Sequence, residues 1–210
     1  MGDGLEDGPV TEVAVALWQE NADLATRALA HPFVRGIADG SLPSTIFAGY
    51  VAQDAYFLDC FALAYARAGE AAEDEHSKTA FAELADGVRQ ELGLHRSYAA
   101  ELGIDLASVQ PIAATRDYTD FLTGTAQCSD VGSICAAMTP CMRLYAHLGR
   151  ALDNRPEKEL GHREEMRAPT SKAQTPYTDW IRTYADPEFQ ALANRLEDLR
   201  SEERRVGKEC

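Results

Sequence analysis

From Ser44 to Ala68 the chain carries Phe47, Tyr50, Val51, Asp54, Phe57, Leu58, Phe61 and Tyr65 at three- and four-residue intervals with no proline among them. Only a helix brings that spacing onto one face. A seam this long and this aromatic requires neighbouring helices to cover it, so the stretch predicts a helical bundle before the rest of the chain is read. Asp54 breaks the pattern by placing a carboxylate where an apolar side chain belongs. An unpaired buried charge costs several kcal/mol, so Asp54 needs either partners from another helix or a ligand. Cys60 lies off this seam and reads as structural.

A second long helix is predicted from Asp74 to Leu102, with Phe81, Leu84, Val88, Leu92, His95 and Tyr98 inward and Gly103 closing it. Glu91 and His95 stand one turn apart, as a local ion pair or a pair of metal ligands would. A di-iron bundle site needs further Glu and Glu-x-x-His ligands on facing helices, and these are not found. No metal and no cofactor are expected. A third helix, Val131 to Leu152, turns Ile134, Met138, Cys141, Leu144, Tyr145 and Leu148 inward around Pro140. Pro140 removes an N–H and bends the helix one residue before Cys141, at a cost of about 3 kcal/mol. Cys141 is then either a small core residue beside a kink or a nucleophile lining a cavity, with Tyr145 one turn on.

The remaining segments are also helical. Thr11 caps a helix to about Ala30 through Val13, Leu17, Ala22, Leu24 and Leu29; His31, read as a packing or capping residue, and Pro32 lead into a short helix closed by Gly40. Pro111 starts a helix from Ile112 to Thr125 carrying Tyr118, Phe121 and Leu122, and Gln127 to Asp130 is read as a turn. Residues 153 to 175 are charged and loop-like, with a short helix around Pro156 to Met166. Thr175-Pro176 caps a helix with Trp180, Ile181 and Tyr184, and the last runs from Phe189 to Leu199. No strand alternation appears, so the expected fold is all-α, about seven helices around a central cavity.

A net charge of −14 over 210 residues disfavours nucleic acid and anionic membranes, which share its sign. The acidic, Gly-rich residues 1–10 read as a disordered tail with neither signal nor transit character, and no run is apolar enough to span a bilayer. Five cysteines without paired spacing suit a reducing compartment, so a cytoplasmic location is expected.

His31-Pro32-Phe33, Gly36-Ile37-Ala38-Asp39-Gly40-Ser41-Leu42-Pro43, Tyr50-x-x-Gln53-Asp54-x-Tyr56, Tyr118-Thr119, Pro140-Cys141-x-x-x-Tyr145 and Trp180-Ile181-x-x-Tyr184, taken in this order, resemble the TenA (thiaminase II) family in its cysteine-bearing class. The likeness covers about residues 12 to 199, and the domain is set at 11–199. It implies a heme-oxygenase-like helical bundle, a homotetramer, and hydrolysis of an aminopyrimidine or of thiamine at the exocyclic methylene. Carried over position by position, it implies Cys141 as nucleophile and Asp54 as the carboxylate that binds the ring's amidine-like edge. Tyr145 would hydrogen-bond the pyrimidine, Tyr118 and Tyr184 would support the thiol and line the pocket, and Phe57 would supply an aromatic wall. A thiol near its free pKa of about 8.5 is mostly protonated at neutral pH, and Tyr118 and Asp54 are the candidates to activate it. The family also carries a catalytic glutamate on a further C-terminal helix, which is not found here; Glu197 is a weak substitute. Residues 200–210, RSEERRVGKEC, resemble a translated sequencing adapter and are expected to be a non-native tail, with the family's last helix missing. The alternative is a non-catalytic pyrimidine-binding or regulatory protein on the same fold.

Overall fold

In the computed structural model, which describes residues 12–154 and 175–206, helices start and stop where the chain supplies the chemistry to cap them. Asp74 accepts from the Ser77 N–H (2.8 Å) and Asp130 from the Ser133 N–H (2.9 Å), each satisfying a backbone donor that a first turn leaves free. His31 does the same with its ring, Nδ1 accepting from the Phe33 N–H at 3.2 Å just ahead of Pro32. Gly40 and Gly103 close helices in the left-handed region at φ 75° and 67°, where a Cβ is disfavoured.

The helices are α1 (Glu12–Glu20), α2 (Ala22–Leu29), α3 (Pro32–Asp39), α4 (Ser44–Ala71), α5 (Glu75–Leu102), α6 (Ala113–Cys128), α7 (Val131–Asp153), α8 (Thr178–Ala185) and α9 (Pro187–Val206), with a 3-10 turn at Leu106–Ser108. Among the described residues there is no strand, and no helix is long and apolar enough to cross a membrane. The fold is an all-α bundle.

Several boundaries differ from expectation. The helix expected as far as Ala30 is two, parted at Asn21, whose Nδ2 donates to the Leu17 carbonyl at 2.8 Å and so competes with the helical ladder. Leu17 and Leu24, expected inward, are 44% and 51% exposed, because α1 and α2 bury Ala14 and Ala25 instead. Residues Gln127 and Cys128 extend α6 rather than turning. Helix α9 continues past Leu199 to Val206, where the sequence holds no proline or glycine to stop it. The Thr11 cap, the tail at 1–10 and the short helix at 156–166 lie outside the described residues.

Two apolar clusters make the core. In one, Phe61, Tyr65, Phe81, Leu84, Ile134, Met138 and Leu196 from α4, α5, α7 and α9 are essentially inaccessible. In the other, Ile37, Phe47, Val51, Leu148, Trp180 and Tyr184 join α3, α4, α7 and α8. Each fully buried large side chain contributes about 2–3 kcal/mol. Helices α4, α5 and α7 run through both clusters, and the polar members of their seams sit at the boundary. That boundary is where Asp54, Glu91, His95, Cys141 and Tyr145 collect.

Candidate active site

Asp54 on α4 is held from two sides. The Tyr50 hydroxyl, one turn earlier on the same helix, donates to Asp54 Oδ2 at 2.7 Å. From α5, His95 Nε2 lies 2.8 Å from the same oxygen, an ion-pair contact that falls short of straight hydrogen-bond geometry. Both contacts use Oδ2. His95 is fully buried, and its Nδ1 lies 3.1 Å from the Glu91 backbone carbonyl. Both neighbours are acceptors, which favours an imidazolium with both nitrogens protonated. Burial opposes that charge, but the Asp54 carboxylate outweighs it and the His95 pKa is raised. The sequence offered Glu91 and His95 as a local pair; the structure instead pairs the His95 ring with Asp54 across the helix interface.

Behind Asp54 stands an aromatic relay. Trp180 Nε1 donates to the Tyr50 hydroxyl at 3.0 Å, and the Tyr184 hydroxyl lies 3.4 Å from the same oxygen. Tyr184 donates a short hydrogen bond, 2.5 Å, to Glu91 Oε1. Gly149 on α7 makes this possible: a Cβ there would collide with the Tyr184 carbonyl, so glycine lets α8 approach closely enough to bring Tyr184 and Trp180 inward.

Asp54, Phe57, Leu58, Phe61, Glu91, Cys141, Met142, Tyr145 and Phe189 surround one narrow cavity. Cys141 and Asp54 thus line the same space from different helices, with Phe57 as an aromatic wall and Tyr145 between Cys141 and the Trp180–Tyr184 pair. Phe57 is itself braced by Phe61 and by Tyr118, which stacks on it at 5.5 Å and 13° between planes. Tyr118 therefore backs the cavity wall. Tyr184, expected to line the pocket, is placed behind it, 1% exposed and engaged with Glu91. The cavity is closed down by its own side chains to the room of about one water.

The thiol is not pre-ionised. Burial, then the carboxylates of Asp54 and Glu91, push the Cys141 pKa well above the usual thiol range. Asp54 therefore cannot lower it by its charge, and Tyr118 is no better placed as a base, since burial and Cys141 raise its own pKa. Glu91 is different: burial first, and Asp54 second, push its carboxyl up to about 7. Its spacing to His95 marked it in the sequence, but nothing there pointed it at Cys141. Tyr50 and Trp180 were legible as seam and motif positions and Phe189 as the start of the last helix, none of them with a role at the cavity. Glu197 is buried with its carboxylate 3.5 Å from Arg143 Nε and lines an apolar groove with Trp18 and Pro140 instead. Among the described residues no group of three or more His, Cys, Asp or Glu is placed to hold a metal ion.

The model of the TENA/THI-4/PQQC family matches residues 18–203. The chain belongs to that family. Among its relatives, it is 35% identical over 187 residues to the bifunctional TH2 protein, mitochondrial, of Arabidopsis thaliana, a match that covers 80% of this chain but only 28% of that protein's length. It is 30% identical over 194 residues to the aminopyrimidine aminohydrolase of Halalkalibacterium halodurans, covering 90% of this chain and 81% of the relative. Among solved structures, a TenA family transcription regulator from Silicibacter sp. TM1040 superposes with a TM-score of 0.75 at 28% identity, covering 93% of this chain and 83% of the other.

Proposed function

We propose that this chain is an aminopyrimidine aminohydrolase of thiamine salvage that displaces the substituent on the exocyclic methylene of an aminopyrimidine or of thiamine, with Cys141 as nucleophile. The observation that carries the reading is the single cavity shared by Cys141 and Asp54 between aromatic walls. The relative from Halalkalibacterium halodurans, named for that activity, supports it.

The residues suit the chemistry. An aminopyrimidine presents an exocyclic N–H beside a ring nitrogen, and a carboxylate pairs with that edge through two hydrogen bonds when the ring nitrogen is protonated. Asp54, steadied by Tyr50 and His95, is the group for this. Protonation leaves the ring electron-poor, and sulfur, a soft nucleophile, adds to a ring carbon once Cys141 has lost its proton. The adduct expels the methylene substituent; water adds at the methylene, and the thiol departs. Tyr145 supplies a hydrogen bond to the pyrimidine and Phe57 a stacking face, while Tyr118 and Tyr184 hold the walls from behind.

The domain is proposed to span 11–199, with 1–10 a tail and 200–210 a non-native segment; sequencing the source locus tests the latter. A cytoplasmic homotetramer is also proposed, with a small pyrimidine as its partner. The exposed Ile46, Leu63, Ile112 and Phe121 support self-association, which light scattering measures. Incubation with aminomethylpyrimidine and with thiamine, following ammonia and thiazole separately, tests the activity. Binding without release of either favours the second reading, a pyrimidine-binding protein, for which the raised pKa of Cys141 argues.

A further inference from the structure

Arg143, His147 and Arg150 follow one another along α7 at four- and three-residue spacing, which sets three basic side chains on one face of the helix. With Trp18 from α1, Asn154 at the end of α7 and Gln190 from α9, they line a surface groove of about 370 Å³, a size that suits a small ligand. Among the described residues no carboxylate lines it. The chain carries 34 acidic and 20 basic residues, so a groove whose charged lining is wholly basic runs against its composition. It shares no lining residue with the cavity of Cys141 and Asp54.

These side chains are oriented by their neighbours. The Arg143 guanidinium lies 5.7 Å from the Trp18 ring centroid, a cation–π contact, with Nε 3.5 Å from Glu197 and Nη1 donating to Asn194 at 3.3 Å. Arg150 Nη1 donates to Gln190 Oε1 at 3.4 Å. Gln190 is itself fixed, because its Nε2 donates to the carbonyls of Ala146 (3.1 Å) and Tyr184 (2.9 Å). The His147 ring tilts against Trp18 with centroids 5.2 Å apart. Burial first, then Arg143 and Arg150, hold the His147 pKa below the ordinary imidazole value, with no carboxylate acting against them. Like charges one turn apart repel, and an anion in the groove relieves that repulsion.

The groove does not end at the cations. Trp18 and Arg143 also line the apolar groove of about 350 Å³ beside it, together with Leu17, Leu24 and Leu144. A ligand that spans the two meets basic groups at one end and an indole with leucines at the other. A phosphomonoester fits the basic end better than a carboxylate does. It brings close to two negative charges and three acceptor oxygens, whereas a carboxylate is satisfied by one guanidinium. We propose that this groove binds a phosphomonoester carried on a flat ring, with the phosphate between Arg150 and His147 and the ring beside Trp18. The acidic balance of the whole chain does not forbid it. Charges beyond about 8 Å are largely screened at physiological ionic strength, so the cations in contact with the phosphate outweigh carboxylates elsewhere on the surface. The site is independent of the hydrolase reading.

The test uses phenyl phosphate, inorganic phosphate and phenol as probes, titrated by calorimetry into wild type, Arg150→Gln, His147→Gln and Trp18→Leu at about 150 mM salt. Phenyl phosphate should bind one per chain with Kd of about 0.1–1 mM, the strength of a few charge-assisted hydrogen bonds. Inorganic phosphate should bind about tenfold more weakly, and phenol should give no measurable heat. Arg150 is exposed and His147 half-buried, and circular dichroism checks that both variants fold. Each should weaken phenyl phosphate by about tenfold. Trp18→Leu should weaken phenyl phosphate and leave inorganic phosphate unchanged, which separates the ring's contact from the anion's. Excess aminomethylpyrimidine, directed to the Cys141 cavity, should not displace the probe. No saturation below about 10 mM, or affinities of Arg150→Gln and His147→Gln within about twofold of wild type, overturns the proposal. Displacement by the pyrimidine places the anion in the catalytic cavity and overturns it as well. A lipid headgroup offers the same phosphate, so the chain is also sedimented with phosphatidylcholine vesicles containing phosphatidic acid. It should stay in the supernatant, since its net charge of −14 opposes an anionic surface. Co-sedimentation that Arg150→Gln abolishes would overturn the assignment to a soluble ring phosphate.

Discussion

Asp54 and His95 meet 2.8 Å apart across the α4–α5 interface, the imidazole fully buried and the carboxylate side chain 11% exposed. The pair explains how an aspartate occupies a seam of aromatic side chains. His95 compensates its charge from one side and Tyr50 caps the same oxygen from the other. Removing one partner of such a pair strands the other, and that cost keeps Asp54 fixed in direction.

Asp54→Asn should therefore be read at His95. Without the carboxylate, burial is opposed only by the Glu91 carbonyl and carboxyl, and the imidazole pKa should fall from its raised value. Folding should weaken by about 1–3 kcal/mol, the cost of degrading a buried charged contact, and pyrimidine affinity should drop. Histidine titration by NMR checks this; a His95 resonance titrating as in wild type would show that the ion pair does not set its charge.

Cys141→Ser should abolish hydrolysis while holding pyrimidine binding within about tenfold, about 1.4 kcal/mol. Oxygen is the poorer soft nucleophile and the cavity hardly changes shape. Calorimetric binding alongside ammonia release separates the two, and retained turnover would return Cys141 to a packing role.

Stability should decline as pH rises from about 5 to about 8. Glu91 is raised from its ordinary 4.5 to about 7 and His95 is raised from 6.5, so each binds its proton more tightly in the folded state. The stability each adds is complete below its unfolded value and is lost as pH climbs through its folded value. For Glu91 that window is 4.5 to about 7, and the loss is on the order of 3 kcal/mol. Urea melts of wild type and Glu91→Gln across this range should show a shallower slope for the variant. Parallel slopes would mean that Glu91 is not buried against its charge.

Gly149→Ala tests how α8 is seated. The new methyl would overlap the Tyr184 carbonyl and the Ala185 N–H, and overpacking of this kind costs about 1–3 kcal/mol or more. Displacing α8 also pulls Tyr184 from Glu91 and Trp180 from Tyr50, so turnover should fall beyond what stability explains. Full activity at a temperature well below the melting point would show that the relay behind the cavity is dispensable.

The helical class, the closing glycines Gly40 and Gly103 and the inward faces of α4, α5 and α7 could be read from the chain, because those features depend on spacing and on the chemistry of a few neighbouring residues. Asp54 and Cys141 stood out for the same reason, as polar groups at positions reserved for apolar ones. What the chain could not disclose is which polar group meets which. Glu91 and His95 are a turn apart on one helix, yet the His95 ring turns to Asp54 and the Glu91 carboxyl to Tyr184, 93 residues away. Leu17 and Leu24 fit a helical stripe and stayed outside, because α1 and α2 meet the bundle through smaller side chains. Tyr184 fell behind the cavity because Gly149 lets α8 come close. Periodicity constrains the face a residue takes, since that follows from local geometry alone. The partner, the burial and hence the proton affinity of each group were decided only when separate helices packed, because these depend on distances between residues far apart in sequence.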